Sequence, residues 1–360
     1  MRTSARRACV AILTSLAAVT AHAAGPAHPA RHDLVLFGSA EAYLLDGDDP
    51  AYDEDGLELA ADIVGSWSAG RFRAFGELLL ATEEQELERL QLGWELAPET
   101  FAWLGRFHQP ASAWNTSYHH GQYLQPSITR PAIEEWEDEG GVLPQHVEGL
   151  LLETRRPLAG GQGFAVSFSA GIGPVLGAEG LEPFEVLSSR TSERRPAFGL
   201  QVKFLPVFSD DDGFGLVASH DEIGFEEGVY AGPANHIDLE LLGAYLAWDR
   251  GPWQVQATVY SIRGDFSGEA GGGDSFVAGY LQVQREFGGA FKVLARFEDS
   301  VDAAGSGYLR LFPDFVEQRS VLDLRWDFDA RQALTFEYAD GHAREGRFNA
   351  FRLQWSAAFQ

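Results

Sequence analysis

The C-terminal stretch FRLQWSAAFQ, residues 351–360, shows most clearly how this chain folds. Its large apolar side chains occupy every second position, and polar side chains occupy most of the positions between them. The apolar positions are Phe351, Leu353, Trp355, Ala357 and Phe359, and the polar ones are Arg352, Gln354 and Ser356. A period of two is the signal of a β-strand with one apolar and one polar face.

The same alternation recurs along most of the chain, and no long stretch follows the 3.6-residue period of a helix. It predicts about sixteen segments of roughly ten residues, which is the usual length of a strand that crosses a membrane. The predicted segments centre near residues 39, 62, 76, 91, 104, 151, 168, 199, 216, 242, 257, 280, 294, 323, 336 and 354. The fold class is therefore all-β.

Composition excludes several classes of protein. The 360 residues include 53 acidic residues against 27 Lys and Arg, so the net charge of −26 argues against a nucleic-acid partner. An apolar fraction of 45% argues against a disordered chain, and a single Cys argues against a disulfide scaffold.

The N-terminus has the pattern of a secretory signal peptide. MRTSARR is a positive region, ACVAILTSLAAVTA is a short apolar stretch, and Ala21-His22-Ala23 fits a cleavage site. The sequence thus predicts a signal peptide at 1–23, a short segment at 24–32 and one β-domain at 33–360. About ten residues between the cleavage site and the first strand leave no room for a plug domain, so a large plugged receptor is not expected.

The connections between segments are of two kinds. Most of those that follow odd-numbered segments are long and polar, and the longest spans residues 108–145. Most of those that follow even-numbered segments are short, such as SAG at 68–70 and DRG at 249–251. Outer-membrane barrels show this asymmetry, with short periplasmic turns and long extracellular loops.

Tryptophan is sorted to one side of the predicted segments. Seven of the nine tryptophans are expected near the short turns: Trp67, Trp94, Trp103, Trp248, Trp253, Trp326 and Trp355. Tryptophans at one level along the strands are expected of an interfacial girdle, in which the ring is buried and the indole N–H reaches the lipid headgroups. The strands of a soluble β-sandwich or propeller also alternate apolar and polar residues. Such a protein is not expected to expose Phe, Leu and Trp to water on strand after strand.

With the signal peptide, strand count, loop asymmetry and terminal aromatic strand together, the chain resembles Gram-negative outer-membrane porins. The resemblance implies a transmembrane antiparallel barrel in the outer membrane, with the third loop folded into the lumen. It also implies a channel for passive diffusion of small hydrophilic solutes, and it implies no cofactor. The expected partners are outer-membrane lipids and lipopolysaccharide, the barrel-assembly machinery that inserts such chains, and two further copies of the chain in a homotrimer. Porin chains commonly end in Phe, whereas here Gln360 follows Phe359.

The predicted third loop could narrow the pore. It carries a dense acidic cluster, and basic residues fall on the polar face of the nearby segments. The acids are Glu134, Glu135, Glu137 and Asp138, and the basic residues are Arg71, Arg73, Arg89 and Arg106. We expect these two groups to face each other and set up a transverse field that filters ions. Alternatively, the acids form a solvated loop surface and the arginines make structural pairs. The excess of acidic residues in the chain predicts a pore that passes cations more readily than anions.

Three further functions stay open from the residues alone. His108, His119, His120 and His146 bracket the acids and include potential zinc or copper ligands, although no motif with ligand spacing is present, so no metal is predicted. Aromatic residues of the loop could stack a sugar in a substrate-specific channel. Asn115, Ser117, His119 and Asp138 could be drawn into a hydrolase site, but no nucleophile elbow is present, so enzymatic activity is not predicted.

Overall fold

The computed structural model describes residues 30–48, 53–82, 85–112, 114–118, 121–178, 180–184, 194–268, 273–344 and 346–359. The predicted signal peptide at 1–23 lies outside these residues, as do His119, His120 and the side chain of Asp138. Among the described residues, no helix is both long enough and apolar enough to cross a bilayer.

Sixteen long strands form a closed antiparallel barrel, and every predicted segment centre lies within one of them. Two strands of two residues each, Val175–Leu176 and Leu181–Glu182, join the same sheet between the seventh and eighth long strands. The first eight are β1 (Arg31–Gly47), β2 (Glu54–Ala69), β3 (Phe72–Ala81), β4 (Gln85–Ala97), β5 (Thr100–His108), β6 (His146–Pro157), β7 (Gly163–Ile172) and β8 (Pro196–Leu205). The others are β9 (Gly213–Phe225), β10 (His236–Arg250), β11 (Trp253–Phe266), β12 (Asp274–Phe287), β13 (Phe291–Val301), β14 (Val316–Asp329), β15 (Gln332–Ala343) and β16 (Arg347–Phe359). The predicted fold class is confirmed.

The first and last strands close the ring. β1 pairs with β2 on one side and with β16 on the other, and Leu36 lies opposite Phe359. Closure removes the unpaired edges that an open sheet would present, so all sixteen long strands have backbone partners on both sides. Because the strand number is even, β1 begins and β16 ends at the same rim.

The alternation in sequence becomes an outer and an inner face. On β16 the side chain of Leu353 is 48% exposed, whereas the neighbouring Gln354 is 2% exposed. On β14 the same contrast holds between Leu322 at 54% and Asp323 at 1%. The apolar face therefore points outward and the polar face points into the barrel, as lipid outside the barrel requires.

The two rims differ in the length of their connections. At one rim β2 and β3 are joined by residues 70–71 and β10 and β11 by residues 251–252, and Gly70 and Gly251 adopt positive φ angles of 60° and 62°. Glycine adopts positive φ angles at little energetic cost because it has no Cβ atom, so it permits these short turns. The opposite rim carries the long connections, including residues 109–145, 173–195 and 302–315. We call residues 109–145 loop 3.

Five tryptophans lie exposed near the short turns, as the sequence predicts: Trp67, Trp94, Trp248, Trp253 and Trp326. Trp103 is an exception, because it faces inward. Its indole N–H donates to Glu153 of β6 at 2.8 Å, and the next residue, Leu104, is the one that points outward. The prediction that Trp103 belongs to the outer aromatic girdle was therefore wrong.

Candidate functional site

Loop 3 contacts opposite sides of the barrel within a few residues. The hydroxyl of Tyr118, at the end of helical turn α1 (Asn115–Tyr118), accepts hydrogen bonds from Gln254 and Gln256 of β11 at 2.8 and 2.6 Å. The backbone N–H of Gly121, at the start of helical turn α2 (Gly121–Leu124), donates to Asp62 of β2 at 2.7 Å. β2 and β11 lie far apart around the ring, so this segment crosses the lumen.

The next part of loop 3 is held by charged residues of β13 and β15. Thr129 donates to Glu337 through its backbone N–H at 3.0 Å and its hydroxyl at 2.6 Å. The backbone N–H of Ala132 donates to Glu298 at 2.6 Å. Arg296, next to Glu298 on the inner face, donates to the carbonyl of Thr129 at 2.9 Å. Hydrogen bonds to charged groups are stronger than neutral ones, so these contacts fix the path of the loop.

One side of the lumen is filled by apolar packing. Side chains of loop 3 and of the loops at 173–195 and 302–315 share one buried cluster with the inner faces of β9–β12. Its members include Trp114, Ile133, Leu143, Leu176, Leu181, Ile223, Leu239, Tyr260, Tyr280 and Tyr308. The hydroxyl of Tyr308 also donates to the carbonyl of Val142 at 2.5 Å. This cluster therefore fills the part of the lumen that it occupies.

Glu134 lies against this cluster. Its carboxylate accepts hydrogen bonds from Tyr260 at 2.5 Å and from Ser112, and its side chain is fully buried. Burial raises the pKa of Glu134 to about 6, although these hydrogen bonds oppose the shift. Glu134 thus anchors loop 3 to β11 and does not face an open passage.

The other side of the lumen contains an acidic cavity of about 180 Å³ between loop 3 and the inner faces of β1–β4 and β16. Seven carboxylates and two guanidinium groups line it. They belong to Glu41, Glu58, Asp62, Glu77, Glu88, Glu135, Glu139, Arg130 and Arg352. We call this space the acidic cavity. Its lining carries an excess of negative charge, which concentrates cations in a passage with low-dielectric walls.

Arg130 and Trp136 of loop 3 together form one edge of the acidic cavity. The guanidinium carbon of Arg130 lies 3.8 Å from the centroid of the Trp136 ring, and its Nε donates to the carbonyl of Glu134 at 3.1 Å. Burial lowers the pKa of Arg130, but a guanidinium remains charged at neutral pH. It supplies a fixed positive charge opposite the carboxylates of β1–β4.

A second cavity of about 260 Å³ lies on the side of loop 3 nearer the short turns. It is bounded by Tyr118, Tyr123 and Pro126 of the loop and by residues of β10–β14 and their turns. Gln125 lines both cavities, so loop 3 separates them at this residue. Together the two cavities leave space on both faces of the loop.

The predicted arginines occupy two different levels of the barrel. Arg71 lies exposed in the turn between β2 and β3, and Arg73 pairs with Glu95 at 3.1 Å near the same rim. The structure does not bring these two to loop 3. Arg89 lies deeper, paired with Glu77 at 2.6 Å and stacked on Phe75. Arg106 pairs with Glu86 and donates to the carbonyl of Phe184 at 3.0 Å.

The predicted acids of loop 3 also separate. Glu135 lines the acidic cavity, with its carboxylate 4.0 Å from Nε of Arg130. Glu137 is buried and accepts hydrogen bonds from the backbone N–H of Gln145 and from Nδ1 of His146, the latter at 3.1 Å. Glu134 is structural, as described above. Only Glu135 of these three is placed to face a passage.

Most of the carboxylates that line the acidic cavity lie outside the predicted set of site residues. Glu58 and Asp62 fall on the polar face of β2, and Glu41 falls on the inner face of β1. Their alternation with apolar residues is visible in the sequence and marks them as facing the lumen. Nothing local shows that loop 3 lies against them.

Two of the predicted histidines come together at the base of loop 3. His108 and His146 lie close to Glu88 of β4, and the ligand atoms of all three lie within 4.8 Å of one another. These residues can in principle hold a metal ion.

The chain has the fold of the outer-membrane porins. It is similar to OmpT, an outer membrane protein of Vibrio cholerae (TM-score 0.59, 10% identity, 92% of this chain and 98% of that one). It is also similar to an anion-selective porin from Comamonas acidovorans (TM-score 0.59, 12% identity, 92% and 100%) and to OmpF of Salmonella typhi in complex with daunomycin (TM-score 0.57, 12% identity, 91% and 97%). No protein-family model and no curated protein matches the sequence.

Proposed function

We propose that this protein is an outer-membrane porin that gives small hydrophilic solutes a passive, water-filled route and that prefers cations. The observation that carries the proposal is the position of loop 3. It crosses from β11 to β2, fills part of one side of the lumen and leaves the acidic cavity on the other. A pore whose narrowest part is lined mainly by carboxylates enriches cations over anions.

The apolar outer face supports location in the outer membrane, and the porin fold supports a channel. A structural relative from Vibrio cholerae is described in a trimer form, which agrees with assembly of this chain as a homotrimer. Contacts with lipopolysaccharide through the acidic outer loops, and insertion by the barrel-assembly machinery, belong to the same proposal. We assign no catalytic residue and no enzymatic activity to the barrel.

The proposal is tested by conductance and reversal potential of the refolded protein in planar bilayers. We expect discrete conductance steps and a reversal potential that favours K⁺ over Cl⁻. The double variant Glu58→Gln/Glu135→Gln removes two charges from the acidic cavity and should shift the reversal potential toward zero. Glu227→Gln, at an exposed position in the loop between β9 and β10, is the matched control and should change nothing.

Silence of the folded wild type in bilayers would contradict the porin proposal. Discrete steps with equal shifts in the Glu227→Gln control and the double variant would contradict only the assignment of selectivity to the acidic cavity. A lipase and protease assay on the same preparation is expected to show no activity.

A substrate-specific channel is the second candidate, and the aromatic residues of loop 3 beside the second cavity favour it. Tyr118 and Tyr123 beside the second cavity offer rings on which a sugar could stack. Liposome swelling with sugars of increasing size distinguishes the two, because a general porin discriminates by size alone.

A further inference from the structure

His108 and His146 are a cross-strand pair at the base of loop 3. His108 is the last residue of β5 and His146 the first residue of β6, and the two lie directly opposite in the register. Directly opposite residues project on the same face of the sheet. Their ring centroids are 4.9 Å apart, and both side chains are buried.

Glu88 of β4 completes a group of three potential ligands. Its Oε2 atom lies 3.0 Å from Nε2 of His146 and 3.9 Å from Nε2 of His108. Two ligands of a tetrahedral zinc ion, each about 2.0–2.1 Å from the metal, are roughly 3.3 Å apart. The three atoms are therefore already spaced for one ion between them, with small adjustments.

Glu137 orients one of these ligands. Its carboxylate lies 3.1 Å from Nδ1 of His146 and is itself held by backbone N–H groups of residues 145 and 146. Nε2 of His146 lies at hydrogen-bond distance from Oε2 of Glu88, 3.0 Å, so an incoming ion has to displace the Nε2 proton. With Nδ1 still donating to Glu137, Nε2 then presents its lone pair to the ion. A histidine that donates to a carboxylate in this way and presents its other nitrogen is the usual arrangement of metal-binding histidines.

An ion can reach the group from the lumen. Glu88 and Trp136 also line the acidic cavity, and Trp136 stacks on the ring of His146 with centroids 5.2 Å apart. The remaining carboxylates of the cavity raise the local concentration of cations beside Glu88. The histidine pair therefore lies at the edge of the space that collects positive ions.

We propose that Glu88, His108 and His146 bind a divalent transition-metal ion of the Zn²⁺ class, with water in the fourth position. Two imidazoles and one carboxylate suit Zn²⁺ and exclude Mg²⁺ and Ca²⁺, which prefer oxygen ligands. Glu137 is a positioning residue that holds His146. The ion joins β4, β5 and β6 and, through Glu137, loop 3.

Bound Zn²⁺ also reduces the negative charge at the edge of the acidic cavity, so it lowers the conductance for cations. This consequence for conductance rests on the proposed function, whereas binding of the ion does not.

The binding test is calorimetric titration of ZnCl₂ into the full-length protein folded in detergent. We expect saturable binding of one ion per chain, with no binding of Mg²⁺. His108→Ala, His146→Ala and Glu88→Gln should each weaken binding at least about tenfold, and Glu137→Gln should weaken it about 10- to 100-fold while keeping the stoichiometry. His342→Ala, at an exposed position of β15, is the matched control and should bind as the wild type does.

Co²⁺ provides a measurement on the wild type that needs no variant to fold. Strong visible absorption bands of a four- or five-coordinate ion support the site, and the weak bands of a six-coordinate ion overturn it. Absence of saturable Zn²⁺ binding also overturns the site. So does binding that survives His146→Ala but is lost in His220→Ala, since that places the ion at the second group, His220, Glu222 and Asp238.

Zn²⁺ that binds as expected but leaves the conductance of the open channel unchanged overturns the effect on conductance and keeps the site. Bilayers that show no channel at all, together with normal Zn²⁺ binding, contradict the proposed function alone.

Discussion

The hydroxyl of Tyr260 on β11 donates a hydrogen bond of 2.5 Å to Glu134 of loop 3, and both groups are fully buried. The two residues are far apart in the chain, so this contact exists only when loop 3 has entered the barrel. A carboxylate taken out of water needs such donors, because an unsatisfied buried charge is costly. A variant that removes this hydrogen bond therefore tests the position of loop 3 through its effect on the unfolding free energy of the barrel.

Removal of the Tyr260 hydroxyl should destabilise the barrel. Tyr260→Phe keeps the packing of the ring but leaves the Glu134 carboxylate with one donor fewer, which costs about 1–3 kcal/mol of unfolding free energy. Urea unfolding of the refolded protein in lipid, followed by tryptophan fluorescence, measures the loss. Tyr338→Phe is the control, since its partner Asn349 is only partly buried and water can replace the hydroxyl. Equal losses in both variants would contradict the role of Tyr260.

Glu134 should give a pH-dependent contribution to stability. Its pKa is raised by burial to about 6, against an ordinary value of 4.5, so the folded state binds the proton more tightly than the unfolded state does. Stability therefore falls as the pH rises from about 4.5 to about 6, by about 2 kcal/mol. The difference in unfolding free energy between the wild type and Glu134→Gln measures this effect across pH 4 to 7. A flat difference would show that the carboxyl is not shifted.

The barrel was predictable from the sequence because its cause is local. Lipid on one side and water on the other impose a period of two on each strand, and neighbouring strands then pair in chain order. β5 shows where this breaks down. In TFAWLGRFH both faces are apolar, with Phe101 and Trp103 on one and Ala102 and Leu104 on the other, so the pattern cannot tell which face meets lipid.

The site was less predictable because it depends on contacts between distant parts of the chain. Thr129 of loop 3 meets Glu337, and Gly121 meets Asp62. Neither contact can be predicted from the alternation of apolar and polar residues in the sequence. The alternating pattern also does not show how far along its strand a residue lies, so the sequence groups Arg71 and Arg73 with Arg89 although they lie near the short-turn rim. The sequence places His108 and His146 near the two ends of the predicted loop, but it does not show that Glu88 of β4 lies beside them.

Loss of Arg296 should loosen the attachment of loop 3. Its guanidinium donates to Glu298 at 2.8 Å, to the hydroxyl of Ser127 at 2.6 Å and to the carbonyl of Thr129 at 2.9 Å, with no exposed side-chain surface. Arg296→Met removes one partner of a buried ionic network, and such changes cost about 3–5 kcal/mol. Urea unfolding measures the cost.

The matched control for Arg296 is Arg263→Met. Arg263 pairs with Asp265 at 2.9 Å, but its side chain is 52% exposed. Exposed ion pairs contribute about 0–1 kcal/mol, so this variant should unfold almost as the wild type does. A loss for Arg296→Met no larger than that for Arg263→Met would mean that the network does not secure the loop.

Replacement of Arg130 should increase the preference for cations. Arg130 supplies one of the two positive groups of the acidic cavity, and its stacking on Trp136 keeps that charge in place. Arg130→Met removes the charge and retains apolar contact with the ring. One unit charge several ångströms from the path of an ion in water changes its energy by a few tenths of a kcal/mol, so the permeability ratio of K⁺ to Cl⁻ should rise about twofold. The reversal potential in a salt gradient gives this ratio directly. Arg347→Met, whose side chain is 72% exposed at the start of β16, is the control. Glu58→Gln/Glu135→Gln shifts the reversal potential in the opposite direction, so the two variants together test the sign of the field in the acidic cavity. An unchanged reversal potential in Arg130→Met would place the ion path away from the acidic cavity.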